Sequence, residues 1–228
     1  MAVASSTRAC SGRPIVAHTC LGELYLTQGD LAPAVRVFEQ GRALPASGYR
    51  NWLRGTIAGL GAAYTLQGRL AEGRPLLEEA IGEGLGMGVP PGRPFHLTLL
   101  SEVCLLAGCW DEAWQHARQA LDLARQLKKR GAEARALHQL GVVHAHADPP
   151  EAAQAEAHYQ QALALADELG MRPLKAHCHR SLGTLYAAIG QPEQARTALS
   201  TAIAMYQSMA MTFWLPQTEA TLAQVEGR

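Results

Sequence analysis

The sequence has few of the residues that build β-sheets. Among its 228 residues, valine and isoleucine together number 14, and phenylalanine numbers 3. A β-sandwich or a parallel sheet needs many more β-branched and aromatic side chains. Alanine and leucine, with 40 and 31 residues, are the most frequent types, and both favour helices because they lose little side-chain freedom there. The composition therefore predicts an all-α protein.

The chain also lacks a surplus of charge, a disulfide pattern and a long apolar stretch. Lysine and arginine number 20, as do aspartate and glutamate, which excludes the broad basic surface of a nucleic-acid-binding protein. The 5 cysteines have no CxxC spacing, which favours reduced thiols. No stretch approaches the roughly 20 apolar residues of a membrane span, and the N-terminus lacks the apolar core of a signal peptide. We expect a cytoplasmic protein that binds neither nucleic acid nor membrane.

Motifs that carry chemistry are scarce as well. The glycines of residues 82–94 invite comparison with a phosphate-binding loop, but no lysine of the chain follows a glycine. Neither HExxH nor GxSxG occurs. His177 and His179 are two residues apart, so they point to different faces of a helix. We therefore expect no catalytic residue, no cofactor and no metal site, and we expect Cys104 to be a buried packing residue.

What the chain does contain is one pattern in five copies. Each copy has a leucine followed by a small residue, then a side chain of the tyrosine type three positions later. After a turn residue comes a small–large–small triad at helical spacing. The small residues that follow the leucines are 39 to 42 positions apart, and they are Gly22, Gly61, Ser101, Gly141 and Gly183. Small residues at these positions let two helices approach closely, whereas a large side chain there would overpack the contact.

This pattern, L-G-x2-Y followed by A-x3-F-x2-A, is that of tetratricopeptide repeats, and the period near 40 predicts helices longer than usual. We predict a right-handed α-α superhelix (solenoid) of about five extended helix pairs with a C-terminal capping helix. The helix over about 111–129 is one of its long members. The repeats are predicted at about 15–53, 54–93, 94–133, 134–175 and 176–212, the capping helix at about 213–227, and a mobile tail at 1–14.

The periodic spacing of alanine and leucine favours an elongated array over a globular bundle. Terminal repeats need a cap to cover their exposed face, and the first repeat begins at about Ile15 with no preceding cap. We therefore expect the chain to be the end of a longer protein.

The first helix of each repeat lines a concave groove in such solenoids. The register places seven residues of the fourth and fifth repeats there: Arg135, His138, Gln139, His146, His177, Arg180 and Thr184. It places Glu23 and Glu102 in the groove of the first and third repeats. The C-terminal half of the groove is therefore predicted to be basic, which suits an acidic or carboxylate-bearing protein or peptide. Ordinary solvated helix faces account for the same charges equally well.

The stretch 151–216, which contains ELGMRPLKAHCHRSLGTLY and closes with MTFWLP, resembles a known family. It is similar to the C-terminal tetratricopeptide region of bacterial signalling proteins that carry a class III adenylate/guanylate cyclase domain and a STAND-type ATPase. The resemblance implies a sensory or interaction arm. It carries over no catalytic residue, because the cyclase carboxylates and the ATPase phosphate loop of that family lie upstream.

We therefore predict a non-catalytic protein–protein interaction or scaffold module, the regulatory or sensory arm of a bacterial signalling protein. An alternative is an effector-sensing domain that binds a small molecule and relays this to an upstream ATPase or transcription regulator. A third hypothesis is a histidine-based metal hydrolase, for which a constellation of at least three convergent ligands would be required.

Overall fold

The computed structural model describes residues 13–45, 48–82 and 89–227, and the regular structure within these ranges is entirely helical. The predicted tail therefore lies mostly outside the described residues, as do residues 83–88 of the glycine-rich segment. The helices are α1 (Arg13–Gln28), α2 (Leu31–Arg42), α3 (Arg50–Leu66), α4 (Leu70–Ile81), α5 (Arg93–Leu106), α6 (Trp110–Gln126), α7 (Arg130–Ala145), α8 (Ala152–Glu168), α9 (Arg172–Ala188), α10 (Pro192–Ser208) and α11 (Leu215–Glu226). A single 3₁₀ turn, Thr212–Trp214, precedes α11.

The helices pack as sequential antiparallel pairs, from α1 with α2 to α9 with α10, and α11 packs against α10. The odd-numbered helices α1, α3, α5, α7 and α9 also contact one another along the row. They therefore form the inner, concave layer, and the even-numbered helices form the outer layer. This is a tetratricopeptide-like α-solenoid, which confirms the all-α prediction.

The small residues of the repeated pattern lie where two helices cross. All fifteen members of the predicted triads are buried, and they are Ala34, Phe38 and Gly41; Gly73, Leu77 and Ala80; Ala113, Ala117 and Ala120; Ala155, Tyr159 and Ala162; and Ala195, Leu199 and Ala202. A Cβ on Gly141 would lie 2.5 Å from the ring of Tyr159, and a Cβ on Gly22 would lie equally close to the ring of Phe38. In the third repeat the equivalent residue is Ser101, whose hydroxyl donates to the carbonyl of Ala113 at 2.7 Å. The pattern thus marks the contact positions, as the sequence predicts.

A left-handed residue ends several of the helices. Gly68 has φ +77°, and the next N–H, that of Arg69, donates back to the carbonyl of Tyr64 at 2.9 Å. This wrapped bond satisfies a carbonyl at the helix end, and glycine takes the left-handed conformation without steric cost. Lys128 does the same with φ +53°, so α6 ends at Gln126 and not near residue 129 as the sequence predicts.

The solenoid curls so that the turn after α1 contacts the segment after α10. A Cβ on Gly29, in the turn between α1 and α2, would lie 2.0 Å from the Cβ of Phe213 in the 3₁₀ turn. The first pair therefore rests against the segment that follows the last pair. None of the described helices is long and apolar enough to cross a membrane.

Candidate functional site

One turn of α7 and one turn of α9 lie side by side on the concave face. Arg135 and His138 come from α7, and His177 and Arg180 come from α9, at equivalent repeat positions. The rings of His138 and His177 are 6.4 Å apart. The structure therefore brings together four of the seven residues predicted from the register. We call these four the groove cluster.

His177 is held by aromatic side chains from the next elements along the row. Its Nδ1 shares a hydrogen bond of 2.8 Å with the hydroxyl of Tyr206, which is fully buried. Its ring meets Trp214 at a centroid distance of 4.8 Å and an angle of 81°, an edge-to-face arrangement. Burial, with the neighbouring positive charge of Arg180, lowers the pKa of His177 well below its ordinary value. The imidazole is therefore neutral at pH 7.

His138 lies between two repeats in a similar environment. Its Nε2 shares a hydrogen bond of 3.0 Å with the hydroxyl of Ser181, and its ring centroid is 5.7 Å from that of Tyr159. Burial lowers the pKa of His138 to about 4, and the charge of Arg180 acts in the same direction. This side chain is therefore also a neutral hydrogen-bonding group at pH 7.

The two arginines carry the positive charge of the groove cluster, and each lies over an aromatic ring. The guanidinium carbon of Arg135 is 5.0 Å from the ring centroid of Phe95, and that of Arg180 is 5.4 Å from the ring centroid of Trp214. Nη1 of Arg180 also donates to Oε1 of Gln217 at 3.1 Å. Burial lowers the pKa of Arg135, and the negative charge of Glu23 opposes this effect.

Two glutamates bring negative charge to the same face. Burial raises the pKa of Glu102, and the charge of Arg180 partly opposes the rise. Burial likewise raises the pKa of Glu23, against the opposing charge of Arg135. The predicted basic character of the groove is thus corrected. Its histidines are neutral, and its two arginines face two carboxyl groups.

The other three predicted residues lie elsewhere. Gln139 is only 5% exposed, and its Nε2 donates to the hydroxyl of Ser101 at 3.2 Å, between α7 and α5. The expectation that it lines the groove is wrong, because its position faces the neighbouring inner helix. His146 is exposed at the C-terminal end of α7 and bonds the carbonyl of Val142. Thr184 is exposed one turn beyond Arg180 and donates to its carbonyl.

Register reasoning missed the aromatic and amide side chains that support the groove cluster. Phe95 occupies the same repeat position as Arg135 and His177, so the repeat register was sufficient to predict that it lies in the groove. Trp214 and Gln217 lie beyond the last repeat, in the 3₁₀ turn and α11, where the register has no equivalent position.

A second group of reactive side chains lies between α5 and α6. Within the described part of the chain, Cys104, Glu112 and His116 each offer a ligand atom, and these atoms all lie within 4.8 Å of one another. The repeat pattern predicts only a packing role for Cys104. Glu112 and His116 are four residues apart on one helix face, and this spacing was the signal available in the sequence.

Comparison with known proteins agrees with this architecture. Residues 151–208, which span α8 to α10, match the tetratricopeptide repeat family model. No protein of curated function matches the chain in sequence. The sequence match to tetratricopeptide repeats thus covers α8 to α10, and the whole array shares the fold of solved tetratricopeptide-like solenoids.

Several solved structures share the fold. BtubC from P. vanneervenii is 19% identical, with a TM-score of 0.62, over 89% of this chain and 82% of that one. A Rap protein complexed with Competence and Sporulation Factor is 15% identical, with a TM-score of 0.71, over 97% of this chain and 65% of that one. A STAND protein with a tetratricopeptide repeat sensor from Pyrococcus horikoshii is 14% identical, with a TM-score of 0.59, over 92% of this chain and 32% of that one. The chain therefore spans about a third of the length of the STAND protein.

Proposed function

We propose that the chain is a non-catalytic protein-interaction module, and that its concave face binds an extended segment of a partner protein through the groove cluster. The observation that carries the proposal is the state of Arg135 and Arg180. Within residues 13–45, 48–82 and 89–227, neither guanidinium forms a salt bridge. Arginines outside the groove cluster, such as Arg130 and Arg74, are paired with glutamates at 2.5–2.6 Å.

Glu23 and Glu102 lie on the same face but beyond ion-pair distance of these two guanidinium groups. A groove cation that loses water contacts without gaining an ion pair is in an unfavourable arrangement. A carboxylate that entered the groove could accept hydrogen bonds from the fork of either guanidinium. The neutral rings of His138 and His177 would add polar contacts, and Trp214 offers an apolar edge. This chemistry fits a short acidic segment or a chain terminus of a partner protein.

We further propose that the module is the regulatory or sensory arm of a signalling protein. The resemblance of 151–216 to the arms of cyclase and STAND ATPase proteins supports this assignment. The fold that the chain shares with the STAND tetratricopeptide sensor also supports it. The Rap protein of the same fold is bound to Competence and Sporulation Factor, a precedent for ligand binding by a solenoid of this shape.

A small carboxylate effector is the second candidate ligand, and one observation favours it. The contact between Gly29 and Phe213 brings the two ends of the row together, which suits a ligand smaller than an extended protein segment. Isothermal titration calorimetry of the chain with pooled carboxylate metabolites tests this candidate. Heat that is lost in the Arg135→Gln/Arg180→Gln variant would favour the effector over a protein partner.

Site-specific crosslinking tests the interaction proposal. A photoreactive phenylalanine analogue replaces Thr184 on α9, and in a matched control it replaces Thr197, which is exposed on the outer helix α10. The proposal expects crosslinks to a defined partner from position 184 and none from position 197. Equal crosslinking from both positions would contradict it.

A charge variant provides the second arm of the test. Arg135→Gln/Arg180→Gln should weaken capture of the crosslinked partner by about tenfold or more, because each guanidinium–carboxylate contact contributes more than a neutral hydrogen bond. Arg118→Gln/Arg196→Gln removes two arginines of the outer helices and should leave capture unchanged. Capture that survives in the groove variant, with helical circular dichroism intact, would refute the proposal.

A further inference from the structure

The side chains between α5 and α6 in the third repeat differ from those of the other repeats. Cys104 takes the position that tyrosine holds in the second and fifth repeats, where Tyr64 and Tyr186 donate hydrogen bonds to glutamates. A cysteine is too short for that contact, and its Sγ approaches Oε2 of Glu112 at 4.0 Å instead. His116 follows Glu112 by one helical turn. Thiol, carboxylate and imidazole therefore face one point.

The spacing of these groups suits a transition-metal ion. Zinc binds sulfur at about 2.3 Å and nitrogen or oxygen at about 2.0–2.2 Å, so tetrahedral ligands of these types are separated by about 3.3–3.7 Å. The ligand atoms of Cys104, Glu112 and His116 lie within 4.8 Å of one another. The longest of these separations has to shorten by at most about 1.1–1.5 Å to reach bonding distances, which side-chain rotation can supply.

An unsatisfied atom marks the same place. Nδ1 of His116 is buried and has no hydrogen-bond partner among the residues that the structure describes. Buried polar side-chain atoms normally have a partner, and an atom without one calls for a ligand, an ion or a water molecule. The imidazole of His116 thus retains bonding capacity next to a thiol and a carboxylate.

The surrounding charges balance a bound divalent cation. Arg74 donates to Oε1 of Glu78 at 2.9 Å and to Oε2 of Glu112 at 2.6 Å. With the thiolate of Cys104, the two glutamates supply three negative charges, which equal the charge of Arg74 plus a divalent ion. Oε2 of Glu112, the oxygen that Sγ of Cys104 approaches, can keep its bond to Arg74, and Oε1 would then bind the metal. Such outer contacts orient a carboxylate ligand.

We propose that Cys104, Glu112 and His116 form a binding site for a divalent transition metal of the zinc class. The combination of thiolate, imidazole and carboxylate selects zinc-like ions over magnesium and calcium, which prefer oxygen ligands. On binding, the S–H proton of Cys104 passes to solvent and the sulfur forms the metal bond. Three protein ligands leave a fourth position for a water molecule.

The fourth repeat supplies an internal comparison. His144 and His158 occupy the repeat positions of Cys104 and His116, but their rings are stacked 5.1 Å apart at an angle of 7°. His144 Nδ1 also shares a hydrogen bond with Glu151. The imidazoles of His144 and His158 therefore already contact each other, and His144 also contacts a carboxylate, so neither is arranged to bind a metal. His158→Ala is a matched control for His116→Ala.

The test is titration of the purified full chain with Co²⁺, followed by Zn²⁺ competition. We expect one ion per chain and a near-ultraviolet charge-transfer band, which reports a thiolate bound to cobalt. Because even the loss of an outer-shell contact costs 10–100-fold in metal affinity, Cys104→Ser or His116→Ala should weaken binding by about a hundredfold or more. Cys104→Ser should also abolish the band. Cys109→Ser and His158→Ala should leave the band and the affinity unchanged.

Three results would overturn the proposal. They are a wild-type chain that shows no thiolate band, a His116→Ala variant that binds as well as wild type, and a loss of binding in either control. Helical circular dichroism is recorded for every variant. If Cys104→Ser does not fold, the comparison of His116→Ala with His158→Ala decides, because His116 is only half-buried.

Discussion

Replacing Gly183 by alanine should destabilise the fifth repeat, although alanine is the better helix former. A Cβ at this position would lie 2.6 Å from Cγ and 3.1 Å from the backbone nitrogen of Leu199. Carbon atoms in contact are about 3.5–4.0 Å apart, so α9 and α10 would have to separate by about 1 Å. A backbone atom cannot rotate away, and the helix pair must therefore move as a whole.

The expected magnitude follows from two opposing terms. Overpacking a buried contact costs about 1–3 kcal/mol, and the rigid backbone neighbour places Gly183→Ala in the upper half of that range. Replacing an interior helical glycine by alanine stabilises the helix by about 1 kcal/mol, because alanine has the higher helix propensity. The free energy of unfolding should therefore fall by about 1–2 kcal/mol. Urea unfolding followed by helical circular dichroism measures the change as a lower midpoint.

Gly55→Ala is the matched control. Gly55 lies inside α3, and a Cβ there would have only Thr19 Cγ2 within reach, at an ordinary 3.4 Å. This variant should gain up to about 1 kcal/mol from propensity alone. A double-mutant cycle isolates the contact, since Leu199→Ala removes the side chain that the new methyl meets. A Gly183→Ala variant as stable as Gly55→Ala would contradict the prediction. So would a cost that is no smaller in the Leu199→Ala background, where only the clash with the backbone nitrogen of Leu199 remains.

Three further predictions concern single side chains. Burial lowers the pKa of His96 to about 4. As pH falls below about 6.5, this histidine is therefore protonated in the unfolded chain before it is protonated in the folded one, which favours unfolding. Wild type should thus lose about 2 kcal/mol of stability between pH 7 and 5 that His96→Gln does not lose. Urea titrations at both pH values measure that difference, and equal losses in the two proteins would contradict it. Trp110→Phe should cost about 1 kcal/mol by calorimetry, because Nε1 donates to the carbonyl of Val143 at 3.1 Å. Arg130→Ala breaks an exposed ion pair with Glu168 and should leave the melting temperature unchanged, whereas a clear drop would show that the pair is stabilising.

The sequence predicts the helix pairs well because each residue of the repeated pattern is itself a packing contact. Gly141 is small because the ring of Tyr159 lies against it, and Ser101 bonds the helix that it meets. Such contacts are local, between the two helices of a pair. The contact of Gly29 with Phe213 joins distant parts of the sequence, and no motif predicts it.

The groove also has features that the sequence predicts and features that it does not. Repeat register brings Arg135, His138, His177 and Arg180 together, because equivalent positions on neighbouring inner helices point to one face. It fails for Gln139, whose side chain turns into the adjacent helix. It also cannot predict that both histidines are neutral, because their pKa values depend on burial by elements such as the segment around Trp214.

The metal-site candidate lay outside what the pattern could reveal. Cys104 stands at a position where the repeat pattern has tyrosine. Such a substitution does not by itself indicate a functional role. Its neighbours Glu112 and His116 lie on a different helix, and their distance from Cys104 depends on how α5 and α6 pack. Only the assembled pair shows that the three ligand atoms converge.

The contact between the turn at Gly29 and Phe213 also changes how the folding free energy is distributed along the array. In a solenoid whose repeats touch only their neighbours, the folding free energy is a sum of repeat and interface terms, and each end frays on its own. Here the first pair and the segment after the last pair support each other. Fraying at either end removes a contact from the other end, so the two ends melt together. A ligand held beside Trp214 is thereby coupled in free energy to the order of the first repeat.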